Sequence, residues 1–171
     1  RTLRDSGAAA QRLALVLSSS RYATELLLRA PEAAAMLEAD GEFAPRGREA
    51  LLREVSAVVA RQEEPVAAIE AVRAVRRREL FRTSVGDLSG LISVEEVGHA
   101  LSDVAVATLQ GALLAAISAY EAVHGPMPTR VAVIAMGRLG GGEMGYPSDA
   151  DVLFVHQLQW QRRHQWQHRH R

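Results

Sequence analysis

Residues 136–155 read Met136-Gly-Arg-Leu-Gly-Gly-Gly-Glu-Met-Gly-Tyr-Pro-Ser-Asp-Ala-Asp-Val-Leu-Phe-Val155. An apolar run at 131–136, short and rich in β-branched residues, leads into this stretch, and a second apolar run at 152–155 closes it. Short continuous apolar runs of this kind are typical of strands that are buried on both faces. The stretch therefore predicts a strand, a glycine-rich loop over 137–145 and a second buried strand.

Two aspartates, Asp149 and Asp151, stand at the start of the predicted second strand. Side chains two residues apart on a strand point to the same face, and two carboxylates held that close repel each other unless a cation lies between them. Oxygen ligands at this spacing suit Mg²⁺, which takes one or two protein carboxylates and completes its shell with phosphate and water. The pair predicts a metal-binding and catalytic site; the alternative is two solvated turn residues.

The glycines before this pair permit a turn that brings backbone amides against phosphate oxygens, and the candidates are Gly137, Gly140, Gly141 and Gly142. Arg138 could add a fork of donors to the same phosphates, or it could be a surface residue. Ser148 is a further nucleotide-binding candidate, although it and Glu143 are better suited to shaping the loop. Strand, loop and aspartate pair together predict a metal–triphosphate site, where phosphoryl transfer needs mainly positioning and charge neutralisation.

Residues 140–145 also fit the dinucleotide-binding pattern G-x-G-x-x-G, but their context argues against that function. The fingerprint should open a long helix within a βαβ unit. Here Tyr146-Pro147-Ser148 intervenes and a predicted strand follows at once.

The chain before the loop has helical periodicity. We expect a helix over 5–30, with a break at the serines 18–20, and a short helix from Pro31 to Leu37. Further helices are expected over 49–61 and from 65 to about 81. A last, long helix should follow Ser93, which forms a capping-box pattern with Glu96. One face of the last helix carries Val94, Val97, Leu101, Val104, Thr108, Ala112, Ala116 and Tyr120. Helices followed by strand–loop–strand predict an α+β fold, with a helical lead-in at 1–91 and the beginning of a sheet domain at 92–156.

Composition narrows the possible functions. The chain of 171 residues has no cysteine, which excludes disulfides, thiolate zinc sites and a cysteine nucleophile. No apolar run approaches the roughly 20 residues that span a bilayer. The 20 basic residues, all arginine, balance 20 acids, but four arginines and no acid lie in 157–171, so 1–156 has a net charge of −4. We therefore expect a cytoplasmic protein that binds neither nucleic acid nor membrane.

Residues 157–171 are built almost entirely from Gln, Arg, His and Trp. The pair His164 and His168 would meet on a helix and could suggest a metal, and Trp160 and Trp166 among arginines could suggest single-stranded RNA. Because this composition has nothing in common with the rest of the chain, we interpret the tail as out-of-frame translation or a truncation scar without a selected function.

The loop residues carry a resemblance to a known family. The run Ala135-Met-Gly-Arg-Leu-Gly-Gly-Gly-Glu-Met144 followed by Ser148-Asp-Ala-Asp151 resembles the signature of the glutamine synthetase adenylyltransferase / adenylyl-removing family, of actinobacterial type. Ala135, Arg138 and Met144 stand where that signature has Gly, Lys and Leu. The upstream runs Leu26-Leu-Leu-Arg-Ala-Pro-Glu32 and Arg76-Arg-Arg-Glu-Leu80 are also similar to the helical lead-in of the family.

The resemblance implies a nucleotidyltransferase-type mixed sheet and a Mg²⁺- or Mn²⁺-dependent enzyme that uses ATP to place AMP on a tyrosine of glutamine synthetase. It implies a nitrogen-regulatory signal protein as a second partner. The pair Gly145-Tyr146 resembles the adenylylating half of the family; the alternative is the half that removes AMP by phosphorolysis. A third carboxylate on a later strand completes such sites, so we expect this chain alone not to transfer AMP at a useful rate.

A function of a different class is a non-catalytic interaction module, in which the helices before Leu91 dock glutamine synthetase or a partner domain. We interpret Arg76-Arg77-Arg78 as a solvated helix face, since long helices often carry such charged runs.

Overall fold

A computed structural model describes residues 7–158 of the chain. Helices α1 (Gly7–Ser19) and α2 (Arg21–Arg29) are followed by 3₁₀ helices at Pro31–Glu38 and Asp40–Phe43, then by α3 (Arg48–Ala60), α4 (Pro65–Leu88) and α5 (Val94–His124). Strand β1 (Thr129–Ala135), a short helix α6 (Gly137–Gly141) and strand β2 (Val152–Leu158) complete this part of the chain. The predicted α+β class, a helical region followed by the start of a sheet, is confirmed.

Local side-chain chemistry sets the helix starts that the sequence predicts. The Ser20 hydroxyl accepts the Ala23 amide at 3.1 Å and caps α2, so the predicted break at the serines is confirmed. At α5 the Glu96 amide donates to the Ser93 hydroxyl at 3.2 Å, while the Ser93 amide donates to the Glu96 carboxylate at 2.7 Å. Both bonds of the predicted capping box are therefore present.

Helix α4 is longer than the sequence predicts, because it continues through Gly86 to Leu88. A glycine inside a helix costs about 1 kcal/mol relative to alanine. Here it has a packing role: a Cβ at Gly86 would lie 3.1 Å from the Phe43 carbonyl oxygen and 3.2 Å from Ile92 Cδ1. The glycine lets the 3₁₀ segment and the start of α5 approach α4 closely.

One hydrophobic cluster runs through the described part of the chain, from Ala9 on α1 to Leu139 and Met144 in the glycine segment. Its centre is the contact of α5 with α3 and α4. On α5 the predicted stripe is correct at Val97, Leu101 and Val104, which are buried. It is wrong at Val94, which is 81% exposed, and at Ala116 and Tyr120, which are also exposed.

From its middle toward its C-terminus, α5 instead buries a row of small residues, Ala107, Gly111 and Ala115. A Cβ at Gly111 would lie 2.7 Å from Val72 Cγ2 on α4 and 3.3 Å from Val55 Cβ on α3. The helices cross too closely here for larger side chains, which is why the buried face departs from the row of larger residues.

Helix α5 is long and apolar enough, by length and composition, to cross a membrane, although no single apolar run in the sequence suggests it. A core helix of a globular domain passes the same test. In this structure α5 packs against α3 and α4.

A partly buried ionic network joins α3, α4 and the segment before α3. Glu79 is 2% exposed and accepts Arg78 Nε at 3.0 Å and Arg82 Nε at 3.0 Å, with Arg46 Nη1 at 3.3 Å. Arg78 also donates to both carboxylate oxygens of Glu54, each at 2.8 Å. The interpretation of the arginine run as a solvated face is therefore wrong for Arg78, because its guanidinium is bonded to two carboxylates, of which Glu79 is buried.

Strands β1 and β2 are antiparallel, with Val133 opposite Phe154 and Ala135 opposite Val152. Val131 and Val133 face Val106 and Leu109 of α5 across a cavity of about 180 Å³. The opposite face of the sheet is apolar but open to solvent, with Ile134 48%, Leu153 51% and Val155 43% exposed. The prediction that both strands are buried on both faces is wrong for the described residues: helix α5 lies against one face only, and on that face Phe154 is still 61% exposed.

Candidate functional site

The segment between the strands is a helical turn followed by a tight loop, which corrects the prediction of a continuous loop. Helix α6 begins at Gly137, whose φ is +53°, and its C-cap is Gly142, whose φ is +73°. Both angles lie in the left-handed region that favours glycine. Leu139 is 3% exposed and anchors the turn in the core.

Gly140 is required by close packing rather than by its backbone angle. A Cβ at this position would lie 2.7 Å from the carbonyl oxygen of Ala135, which is the last residue of β1. Its amide donates to the Met136 carbonyl at 2.8 Å, and the Gly142 amide donates to the Leu139 carbonyl at 3.2 Å. These two amides, which the sequence suggests as phosphate donors, are thus engaged within the segment itself.

Asp149 and Asp151 lie in the irregular segment directly before β2 and not in the strand, and both are exposed. The Asp151 carbonyl accepts the Met136 amide at 2.9 Å, which extends the pairing of the two chains by one step. A Cβ at Gly137 would lie 2.9 Å from Asp151 Oδ2. The carboxylate of Asp151 therefore lies directly against the first residue of α6.

Ser148 closes a turn just before the aspartates. Its hydroxyl accepts the Gly145 amide at 2.9 Å, and its own amide donates to the Gly145 carbonyl at 3.0 Å. The Arg138 side chain passes beside this turn, with Nη1 3.8 Å from the position of a Cβ at Gly145. The fold thus brings together Gly137 with Asp151, and Arg138 with the turn at 145–148.

The glycine segment is also bound to the helices by contacts that the sequence does not predict. The Met144 amide donates to the Ser102 hydroxyl of α5 at 3.2 Å. The Tyr146 hydroxyl donates to Asp87 Oδ2 of α4 at 3.1 Å. The only signal in the sequence is Tyr146, the one aromatic residue in the stretch 137–151.

A cavity of about 550 Å³ lies between the first turns of α5 and the glycine segment. Its wall includes His99, Arg138, Glu143 and Tyr146. The volume is within the range of small-molecule sites. Asp149 and Asp151 do not line this cavity.

The donor set fits a cation that keeps water and ligand oxygens in its shell. Between residues 7 and 158 no three His, Asp or Glu side chains are grouped as a metal site. Two exposed carboxylates two residues apart are what Mg²⁺ needs when a phosphate supplies further oxygens. Asp149 and Asp151 are the residues that would hold it.

Comparison with known proteins decides the family. The model of the family described as glutamate-ammonia ligase adenylyltransferase matches residues 10–170. The chain belongs to this adenylyltransferase family. The predicted resemblance, including its actinobacterial type, is confirmed.

Relatives in this adenylyltransferase family are long proteins of which the chain covers a small part. It is 49% identical over 172 residues to the bifunctional glutamine synthetase adenylyltransferase/adenylyl-removing enzyme of Streptomyces coelicolor, covering 92% of this chain and 17% of the relative. The enzyme of the same name from Mycolicibacterium smegmatis is 50% identical, over 90% of this chain and 16% of the relative. The one from Cutibacterium acnes is 46% identical, over 91% of this chain and 15% of the relative. No solved structure matches the chain.

The family match includes most of the tail at 157–171. That tail lies outside the described residues, so its interpretation as a scar stays a prediction. The division of the chain at residue 91 also stays a prediction, while the hydrophobic cluster runs through both sides of it.

Proposed function

We propose that this chain forms part of an ATP-dependent adenylyltransferase that transfers AMP to a tyrosine of glutamine synthetase, with Asp149 and Asp151 as its metal-binding carboxylates. The observation that carries the proposal is the contact of the Asp151 carboxylate with Gly137, the first residue of the turn that follows β1. A carboxylate at this place could hold a Mg²⁺ ion against the phosphates of a nucleotide that lies along the glycine segment.

In AMP transfer the tyrosine oxygen forms a bond to the α-phosphorus of ATP and loses its proton. The bond between the α-phosphorus and the bridging oxygen breaks, and pyrophosphate leaves. A bound Mg²⁺ or Mn²⁺ would neutralise charge on the phosphates. The chain's own contribution is to hold the triphosphate and orient it: Arg138 offers a guanidinium fork, and the rigid turn at 145–148 fixes the approach of Asp149.

The proposal extends to the adenylylating half, because Gly145 and Tyr146 resemble that half of the family. It also includes a nitrogen-regulatory signal protein as regulator and a cytoplasmic location. If the chain belongs to the removing half, inorganic phosphate would attack the AMP–tyrosine bond instead and release ADP. Adding phosphate to adenylylated glutamine synthetase, with ADP as the measured product, separates the two reactions.

Nucleotide binding by the chain itself is the first test. Titration of the 171-residue chain with ATP in the presence of Mg²⁺ should give saturable binding, and the substitutions Asp149→Asn and Asp151→Asn should each weaken it about tenfold or more, because each removes a ligand charge. Glu63→Gln is the matched control, since Glu63 is an exposed carboxylate in the turn between α3 and α4. Without Mg²⁺ the difference between wild type and the aspartate variants should largely disappear.

If both aspartate variants bind ATP with the affinity of the wild-type chain, the metal assignment is refuted. If the wild-type chain binds no ATP at all, the proposed site in this chain is refuted. Transfer is tested with ATP labelled at the α-phosphate and glutamine synthetase as acceptor. Label on the acceptor that is lost in the Asp149→Asn variant would establish AMP transfer and would contradict our expectation that this chain is inactive alone.

A further inference from the structure

The turn before the aspartates is held by two helices from the first half of the chain. The Tyr146 hydroxyl donates to Asp87 Oδ2 near the end of α4 at 3.1 Å. The Tyr146 ring meets the ring of Tyr22 on α2 edge-on, with 5.5 Å between centroids and 62° between planes. We refer to Tyr146, Asp87 and Tyr22 as the Tyr146 clamp.

A second attachment fixes the other end of the same segment on α5. Ser102 is fully buried; its hydroxyl donates to the Gly98 carbonyl at 2.8 Å and accepts the Met144 amide at 3.2 Å. The backbones also meet, because a Cβ at Gly98 would lie 3.5 Å from the Gly142 carbonyl oxygen. Residues 142–144 therefore have a defined position before the chain reaches Tyr146.

Only Pro147 and Ser148 separate Tyr146 from Asp149, and both belong to the turn closed by the Ser148 hydroxyl on the Gly145 amide. There is little freedom between the clamp and the carboxylates. Fixing Tyr146 thus fixes where the aspartate segment starts.

The Tyr146 hydroxyl keeps its proton at neutral pH and can therefore always donate a hydrogen bond. Burial, and to a smaller extent the neighbouring Asp87 carboxylate, raises the pKa of the Tyr146 hydroxyl despite the opposing effect of Ser84. The phenol therefore stays protonated at neutral pH and keeps donating to Asp87. This bond spans 59 residues of sequence, so it joins the helical region to the site rather than closing a local turn.

We propose that Tyr146 is a positioning residue, which through its bond to Asp87 and its contact with Tyr22 holds the glycine segment and the aspartate pair in the arrangement that binds nucleotide. This role rests on the proposed function of the site. In this role, helices α2 and α4 hold the site in an ordered state before ATP binds. Less conformational freedom is then lost when ATP binds.

The first measurement is hydrogen exchange of the amides of 137–148 in the full 171-residue chain. We compare wild type with Tyr146→Phe, which keeps the ring but removes the hydroxyl, with Asp87→Ala, and with the double variant. Each single change should speed exchange of this segment about two- to tenfold, the range expected for one hydrogen bond. The double variant should be no faster than the faster single variant, because both changes break the same bond.

Two controls separate positioning from general destabilisation. Tyr120→Phe removes a hydroxyl from a tyrosine that stacks on His124 at the far end of α5, and it should leave the segment unchanged. Amides of α3 report on the global fold and should exchange at the wild-type rate in every variant. Asp87→Asn keeps an acceptor oxygen and should exchange more slowly than Asp87→Ala, a partial rescue that loss of bulk would not give.

The second measurement is ATP affinity with Mg²⁺ in the same variants. Tyr146→Phe and Asp87→Ala should weaken binding about two- to tenfold, without a further loss in the double variant. Unchanged exchange in Tyr146→Phe, or fully additive effects, would refute the clamp; faster exchange with unchanged affinity would refute its positioning role. If wild type binds no ATP, the proposed function fails for this chain, and exchange still decides whether the clamp exists.

Discussion

Replacing Gly140 by alanine tests whether close packing, rather than phosphate contact, is the reason for glycine at this position. The new Cβ would lie 2.7 Å from the Ala135 carbonyl oxygen, a backbone atom that cannot rotate away. An ordinary carbon–oxygen contact is about 3.3 Å or longer, so the turn or the end of β1 must move by roughly 0.6 Å. Overpacking of this kind costs about 1–3 kcal/mol.

Gly141 is the matched control because it lies in the same turn, and a Cβ there would find its nearest neighbour, Glu143 Cδ, at 3.8 Å. Both substitutions gain the same helix propensity of about 1 kcal/mol, so the difference between the variants isolates the steric cost. In urea unfolding followed by circular dichroism we expect Gly140→Ala to be about 1–3 kcal/mol less stable than Gly141→Ala.

The same strain should reach the site. If the turn moves away from Asp151 to relieve the clash, ATP affinity measured by titration calorimetry should fall by roughly 5- to 150-fold in Gly140→Ala, the equivalent of 1–3 kcal/mol. Gly141→Ala should stay within about threefold of wild type, in the absence of such a clash. Equal stability and equal affinity of the two variants would refute the packing argument.

Two further predictions concern stability. Gly111→Ala should be about 1–3 kcal/mol less stable than Gly98→Ala in urea unfolding, although both glycines lie inside α5. A Cβ at Gly111 would lie 2.7 Å from Val72 Cγ2, whereas one at Gly98 would lie at an ordinary 3.5 Å from the Gly142 carbonyl oxygen. Equal stabilities of the two variants would contradict the close helix crossing. Glu54→Gln should cost about 1–3 kcal/mol at neutral pH by leaving Arg78 and Arg46 with a weaker partner. Burial opposes ionisation of Glu54, but hydrogen bonds and charge from these two arginines outweigh it and lower its pKa. The folded chain then binds fewer protons at Glu54 than the unfolded chain, so its contribution is complete above the ordinary glutamate pKa and is lost as the pH falls through the lowered value; a cost of Glu54→Gln that does not shrink in acid would contradict this.

The sequence predicts those features that depend on a few neighbouring residues. The capping box at Ser93 and the break at Ser20 depend on a side chain bonding an amide three residues away, so a short pattern contains all the information. The strand–glycine–aspartate pattern likewise predicts both strands and places Asp151 at the start of the second one. Its place just before β2 is a difference of one or two residues, within the ordinary uncertainty of an element boundary.

Features that depend on residues far apart in the chain do not follow from such patterns. The charges of the arginine run suggest a solvated face, yet Arg78 is bound by Glu79 and by Glu54, 24 residues away on α3. The buried face of α5 follows from how closely α4 crosses it at Gly111, which no property of α5 alone determines. The bond from Tyr146 to Asp87 belongs to the same class.

The glycines of the segment show why a glycine-rich pattern overstates the number of phosphate contacts. Gly137 and Gly142 provide left-handed backbone angles, and Gly137 also leaves room for the Asp151 carboxylate. Gly140 allows the approach to Ala135, and the amides of Gly140 and Gly142 are already bonded inside the segment. Most of these glycines therefore serve to bring β1, the turn and Asp151 together. It follows that substitutions at different glycines should differ in kind: a change at 140 should lower both the stability of the fold and ligand affinity, whereas Gly141→Ala meets no clash and should lower neither.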